Sequence, residues 1–182
     1  MKILIVNIAK NIFEKINKNF KQMKKTFKAM AIMAIAVTIS LSAAAQQGDK
    51  AVGGNLVVGM GDSWTNIGLG AKFLYNVTDP IRLAGEFDYF FKKDYVSWWD
   101  FSVYGHYLFP VATQVSLYPS LGLGMVGAKS DFGGSYSEFA FSLGGGVDYA
   151  LSSNLSLNGE LRIKLYDGYN RTNLAIGLSY KF

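Results

Sequence analysis

The chain has 182 residues, half of them hydrophobic and 15% aromatic, with 20 glycines, no cysteine and a formal net charge of +5. Without cysteine no disulfide can hold the fold, and the basic balance would suggest nucleic acid or an anionic surface if it were spread evenly. It is not: residues 1–45 carry eight lysines against one acid, whereas residues 46–182 carry ten Lys and Arg against twelve Asp and Glu, so the basicity belongs to the leader and nucleic acid is excluded as a partner.

The leader reads as a cleavable secretory signal peptide over residues 23–45. Met23-Lys24-Lys25-Thr26-Phe27-Lys28 is the basic n-region, Ala29 to Leu41 the apolar h-region, and Ala43-Ala44-Ala45 the small-residue cleavage site. Thirteen apolar residues are too few for a membrane helix, which needs about 20. Because this signal is complete from Met23, residues 1–22 are either a mis-set start or an extended n-region.

Residues 46–182 form the mature domain, and there the pattern is period two. Apolar side chains alternate along eight runs in chain order: Val52 to Met60, Ile67 to Val77, Ile81 to Phe91, Trp99 to Phe109, Val115 to Met125, Phe139 to Tyr149, Leu155 to Leu165 and Leu174 to Phe182. Each run is about ten residues, the length that crosses a bilayer as a tilted strand. Val77 to Pro80, Pro110 to Thr113 and Ser152 to Asn154 read as tight turns. The alternate connections, near Asp62 to Trp64, Lys92 to Ser97, Ala128 to Ser137 and Asp167 to Arg171, are richer in charge and aromatics. They supply the expected surface-loop residues Trp64, Lys92, Lys93, Tyr95, Phe132, Tyr136, Tyr169 and Arg171. The expected fold is therefore all-β, an eight-stranded antiparallel up-and-down transmembrane β-barrel.

The two faces of the strands differ in size as well as polarity. One holds most of the Phe, Leu and Ile; the other alternates small residues such as Gly53, Gly70, Gly122, Gly144 and Gly177 with charges. An eight-stranded barrel has room inside only for side chains, so the small and charged face belongs inside and the bulky face against lipid. This separates the chain from a soluble barrel built around a ligand. The inward charges are Lys72, Arg82, Arg162, Lys164 and Lys181 against Glu86, Asp88, Asp100, Glu138, Asp148 and Glu160, close to the balance that pairing requires. A turn at Thr78-Asp79-Pro80 sets Lys72 opposite Glu86, Asn76 opposite Arg82 and Gly70 opposite Asp88, with Lys72 and Glu86 as an expected ion pair. Trp64, Trp98, Trp99, Tyr75, Phe109, Tyr149 and Tyr180 are expected in interfacial girdles.

The chain ends Gly177-Leu178-Ser179-Tyr180-Lys181-Phe182. Gly177, Tyr180 and Phe182 resemble the C-terminal signature of bacterial outer-membrane barrels, which the outer-membrane insertion machinery reads. Ala175 departs from the polar residue usual before the glycine. With Tyr118 to Gly124 and Leu143 to Tyr149, the whole mature chain resembles the small barrels of the OmpA-membrane-domain and OmpX type, often labelled porin-family proteins. The resemblance implies an integral protein of the bacterial outer membrane, a monomer in contact with outer-membrane lipid and lipopolysaccharide. It does not fix a function, because such folds serve many.

Other motifs carry less. Gly122, Gly124 and Gly127 match a dinucleotide fingerprint, but a loop signal follows where a helix is required. His106 is the sole histidine, an inward side chain expected beside Asp100 and Ser102. Residues four apart on one strand are separated by about 13 Å, too far for a Ser-His-Asp relay along that strand. The pair Lys92-Lys93 is a solvated tip that could meet lipopolysaccharide phosphates. The sequons at Asn76, Asn154 and Asn170 have no meaning for a bacterial envelope. No cofactor and no metal are expected. The expected role is a plugged, non-enzymatic barrel scaffold with short surface loops, serving envelope integrity, adhesion or recognition of an unknown extracellular ligand. The alternatives are a lipid-modifying enzyme built by cross-strand partners of His106 and a small-solute porin, although water-filled channels generally need about 16 strands.

Overall fold

The computed structural model describes residues 46–61, 65–167 and 169–182. The expected leader and the connection Asp62 to Trp64, with Trp64 itself, lie outside the described residues. Nine strands follow one another: β1 Lys50–Met60, β2 Thr65–Asn76, β3 Ile81–Lys93, β4 Val96–Tyr107, β5 Phe109–Ala112, β6 Val115–Ser130, β7 Ser135–Ala150, β8 Leu155–Tyr166 and β9 Tyr169–Lys181. Successive strands pair antiparallel except β4 and β5, which both pair with β6, and β1 pairs with β9, so the sheet closes on itself. Closure pairs every long strand on both sides through the middle of the wall, the condition for a sheet to survive in hydrocarbon.

The barrel has eight crossings, because β4 and β5 are one crossing interrupted at Leu108, whose N–H turns aside to the carbonyl of Pro80 at 2.7 Å. The expected turn from Pro110 to Thr113 is corrected accordingly. Pro110 to Ala112 belong to β5, and the reversal is made by Thr113 and Gln114. The other connections of this end match the sequence reading: Val77 donates to Ile81 at 2.9 Å and Leu151 to Leu155 at 2.8 Å. The first strand starts and the last strand finishes at this end, where Ala51 faces Lys181 across the β1–β9 seam.

The opposite, tip end differs from expectation. The connections placed at Lys92 to Ser97 and Ala128 to Ser137 are mostly strand, leaving only Asp94-Tyr95 and Asp131 to Gly134 as turns. Asp94 and Tyr95 have φ of 50° and 64°. Left-handed conformation at both central residues is that of a type I′ hairpin turn, which follows the twist of the strands at a cost of about 1–2 kcal/mol for a residue with a Cβ.

Burial alternates residue by residue through most of β2, β3 and β6. Phe73, Leu83, Phe87, Phe101, Leu123, Phe141, Ile163 and Ile176 are exposed to the surroundings, while Lys72, Arg82, Glu86, Asp88, Asp100, Glu160, Arg162 and Lys164 are buried. This is the inverse of a water-soluble core, and burial of that many charges requires that they be paired. The interior also takes side chains larger than glycine and charge: Leu74, Phe90, Tyr104, Tyr118 and Val126 are buried too. Glycines make their room. A Cβ at Gly122 would overlap the Tyr104 ring, and one at Gly146 would stand 2.6 Å from the Tyr118 hydroxyl.

Candidate functional site

The lumen is filled by three tiers of charge. Strand register puts Lys72 opposite Glu86, Asn76 opposite Arg82 and Gly70 opposite Asp88. The ion pairs nevertheless run across the lumen, not between these neighbours. Lys72 bonds Glu160 at 2.7 Å, Glu160 bonds Arg162 at 2.8 Å, and Arg162 bonds Glu86 at 2.6 Å. The expected Lys72–Glu86 contact is therefore corrected. In a narrow barrel the inward side chains of opposite walls meet at the centre, and there Lys72 finds an acceptor from β8.

Toward the terminal end, Arg82 donates from Nε to His106 Nδ1 at 3.1 Å and from Nη1 to Asp148 at 2.6 Å. Its guanidinium lies 4.6 Å from the centroid of the Tyr118 ring, on which His106 also stacks at 4.6 Å. This corrects the expected placing of His106 beside Asp100 and Ser102. Those two residues instead receive Lys164, at 2.9 Å and 3.1 Å.

In the tier nearest the tips Asp100 takes a second cation, Arg171. Arg171 had been expected on a surface loop. It is buried because β9 begins at Tyr169 and alternation turns Arg171 inward, over the Phe90 ring at 4.5 Å from its centroid. Trp98, expected in the girdle, likewise faces inward and packs on Val57, Phe90 and Ala175. Trp99, beside it in sequence, stays half-buried with Gly127 against its ring. Lys181 sits at the terminal rim, bonded to Asp49 at 3.2 Å. Among the described residues Asp88 and Glu138 make no ion pair; Asp88 is buried and Glu138 half-buried.

The tip end holds the remaining candidates. Lys92 bonds Asp131 at 2.7 Å, and the N–H of Asp131 donates to the carbonyl of Tyr95 at 3.1 Å. The Tyr95 and Phe132 rings meet at 5.1 Å. These contacts join the β3–β4 and β6–β7 hairpins, while Lys93 reaches back to the Thr65 carbonyl. Phe132 is 82% exposed, Tyr169 67% and Tyr95 61%, and Tyr136 is also exposed. Residues 135–140 of β7 pair with β6 alone, since pairing with β8 begins at Phe141. At the terminal end, Gly177 faces inward between Asn55 and Asn158, and Tyr180 and Phe182 face outward. The N–H of Phe182 donates to Lys50 at 3.0 Å.

Sequence reasoning missed Tyr104, Tyr118 and Phe90 as lumen residues, although each occupies an inward position by strict alternation. All three serve as platforms for arginine: Tyr118 for Arg82, Phe90 for Arg171, and Tyr104 for Arg162, 4.3 Å from its centroid.

Residues 33–182 match the family model described as the outer membrane protein beta-barrel domain. No curated protein matches the chain. The fold is similar to that of Neisserial surface protein A, with a TM-score of 0.59 and 17% identity over 74% of this chain and 96% of that one. It is similar to the N-terminal β-barrel domain of Pseudomonas aeruginosa OprF, with a TM-score of 0.56 and 20% identity over 75% and 100%. Ail, the attachment invasion locus protein of Yersinia pestis, gives 0.54 and 19% over 75% and 100%. At such identities the likeness is one of fold. A closed eight-crossing wall with a lipid-suited exterior, a charged interior and a family match over most of the sequence leads to one conclusion: the chain belongs to the outer membrane protein beta-barrel domain family, and is an integral barrel of the outer membrane.

Proposed function

We propose that the barrel is a non-enzymatic scaffold whose work is done by its tip, an interaction surface for an extracellular protein segment. The observation that carries this reading is the union of the β3–β4 and β6–β7 hairpins into one platform, held by the Lys92–Asp131 ion pair and the Asp131–Tyr95 hydrogen bond. An ordered platform with exposed rings loses little conformational entropy on binding, and aromatic anchors dominate interface energetics. Beside it, residues 135–140 offer an open strand edge of the kind that extended peptides pair with. Ail of Yersinia pestis has been solved with a heparin analogue, sucrose octasulfate. The tip of this chain favours a less charged partner, because the exposed Lys92, Lys93 and Lys129 are set against Asp94, Asp131 and Asp167.

The enzymatic reading is less well supported. His106 accepts from Arg82 where a catalytic histidine would donate to a carboxylate, and its ring is buried on Tyr118. A porin reading conflicts with a lumen filled by paired charges. The test is adhesion of cells displaying the barrel to extracellular protein, compared with cells displaying Tyr95→Ser, Phe132→Ser. Loss of two exposed anchors should weaken binding about tenfold or more. Unchanged binding would remove the tip from the function, and altered lipid A in a deletion strain would favour the enzyme.

A further inference from the structure

The lumen is closed differently at its two ends. Toward the tips, Val57, Phe90 and Ala175 are buried with Trp98 packed on them, and the Asp100, Lys164 and Arg171 side chains of the adjoining charge tier are at most 1% exposed. At the terminal end a vestibule of about 120 Å³ opens, lined by Asn76, Arg82, Ser116, Asp148 and Lys181 together with apolar residues such as Leu74 and Leu108. An outer-membrane barrel keeps its tight-turn end in the periplasm, so the vestibule faces the periplasm.

Arg82 lies against this space and is itself 7% exposed. Its guanidinium is fixed on three sides, by His106 at Nε, Asp148 at Nη1 and the Tyr118 ring beneath. Among the described residues Nη2 makes no hydrogen bond, and unlike Nε and Nη1 of Arg162 it is not sealed from solvent. A donor held in one orientation and open to the vestibule is placed to meet an acceptor that enters it. The charges lining the vestibule are Lys50, Arg82 and Lys181 against Asp49 and Asp148, one positive in excess. Asp148 and Asp49 are already engaged, with Arg82 and Lys181 respectively.

We infer that the vestibule is a binding pocket for small carboxylates entering from the periplasm, with Arg82 Nη2 as the donor at its floor and Lys181 at its mouth. A planar guanidinium matches the carboxylate group in geometry and charge. The volume limits the ligand to a few carbon atoms, comparable to several waters. The pocket ends blind below the Phe90–Trp98 seal, so it binds but does not conduct.

The native chain has no cysteine, which makes single-cysteine labelling direct. Ser116→Cys, at the vestibule, and Ala175→Cys, in the seal, are prepared in the mature barrel in lipid nanodiscs, where both faces meet solvent. Each is treated with methanethiosulfonate reagents bearing a sulfonate or a quaternary ammonium, and the gel shift between unheated and boiled samples reports folding. The Ser116→Cys barrel should react about tenfold faster with the anionic reagent, since a charged cleft concentrates ions of opposite sign. Acetate should slow that reaction, and adding Arg82→Gln should abolish both the preference and the protection. If Arg82→Gln does not fold, Lys181→Gln at the half-exposed rim should still reduce the preference. Equal rates with the two reagents, absence of acetate protection, or protection that survives Arg82→Gln each overturn the proposal. Reaction of Ala175→Cys as fast as that of Ser116→Cys overturns the closed end.

Discussion

The four-member chain Lys72–Glu160–Arg162–Glu86 allows a quantitative test of what fills the barrel. Its links measure 2.7, 2.8 and 2.6 Å, and the side chains are 2–3% exposed. The net charge of the chain is zero. Removing Glu86 leaves Arg162 with Glu160 alone and the group at +1, shielded from water. Breaking a buried pair by removing one partner costs about 3–5 kcal/mol, and because Arg162 keeps one carboxylate we expect Glu86→Ala to lie near the lower bound. Arg162→Met leaves Glu86 isolated and gives up the Tyr104 platform as well, so its loss should be larger. The double variant Glu86→Ala, Arg162→Met keeps the neutral Lys72–Glu160 pair, and the two losses should fall short of their sum by about 2 kcal/mol, within the range seen for contacting residues. Lys72 and Glu86 are cross-strand neighbours that do not touch, and removing both leaves a neutral Glu160–Arg162 pair. That double should show a smaller coupling of about 1 kcal/mol, carried by charge balance alone. Urea unfolding of the detergent-folded barrel, followed by tryptophan fluorescence, measures all of these. Additive losses for Glu86 and Arg162 would refute the pairing. A coupling of Lys72 to Glu86 larger than that of Arg162 to Glu86 would refute the cross-lumen arrangement.

Three further outcomes follow from the same geometry. The mature chain should refold from denaturant only in detergent or lipid and then run faster unheated than boiled, because its apolar residues face outward; a monodisperse folded chain in plain buffer would contradict this. Phe182→Asp should lower outer-membrane insertion far more than secretion into the periplasm, measured by fractionation, since the outward terminal ring is lost together with the resemblance to the insertion signature. Normal membrane levels would count against that role. Planar bilayers should show no steady large conductance from the wild-type barrel, the Phe90–Trp98 seal and the charge tiers occupying the lumen. A stable nanosiemens channel from the monomer would refute a filled interior.

The alternation of the sequence by itself determined the eight crossings, which face meets lipid, and the register of β2 on β3. The physical reason is that a strand has a period of two and a tight turn pins its partner, so both are local properties of the chain. Lys72 opposite Glu86 could thus be read from residues 72–86 alone. Which charges touch could not, because Glu160 and Arg162 reach Lys72 and Glu86 from the far wall, and only closure of the barrel sets that distance. The same holds for His106: its neighbours along β4 were legible, whereas Arg82 and Tyr118 come from adjacent strands. Arg171 was misplaced because where a loop ends and a strand begins depends on pairing with the next strand, and one shift of boundary turns a surface arginine into a lumen cation. The vestibule at Arg82 and the joined hairpins at Tyr95 and Phe132 likewise belong to the tertiary structure, since each is assembled from residues far apart in the chain.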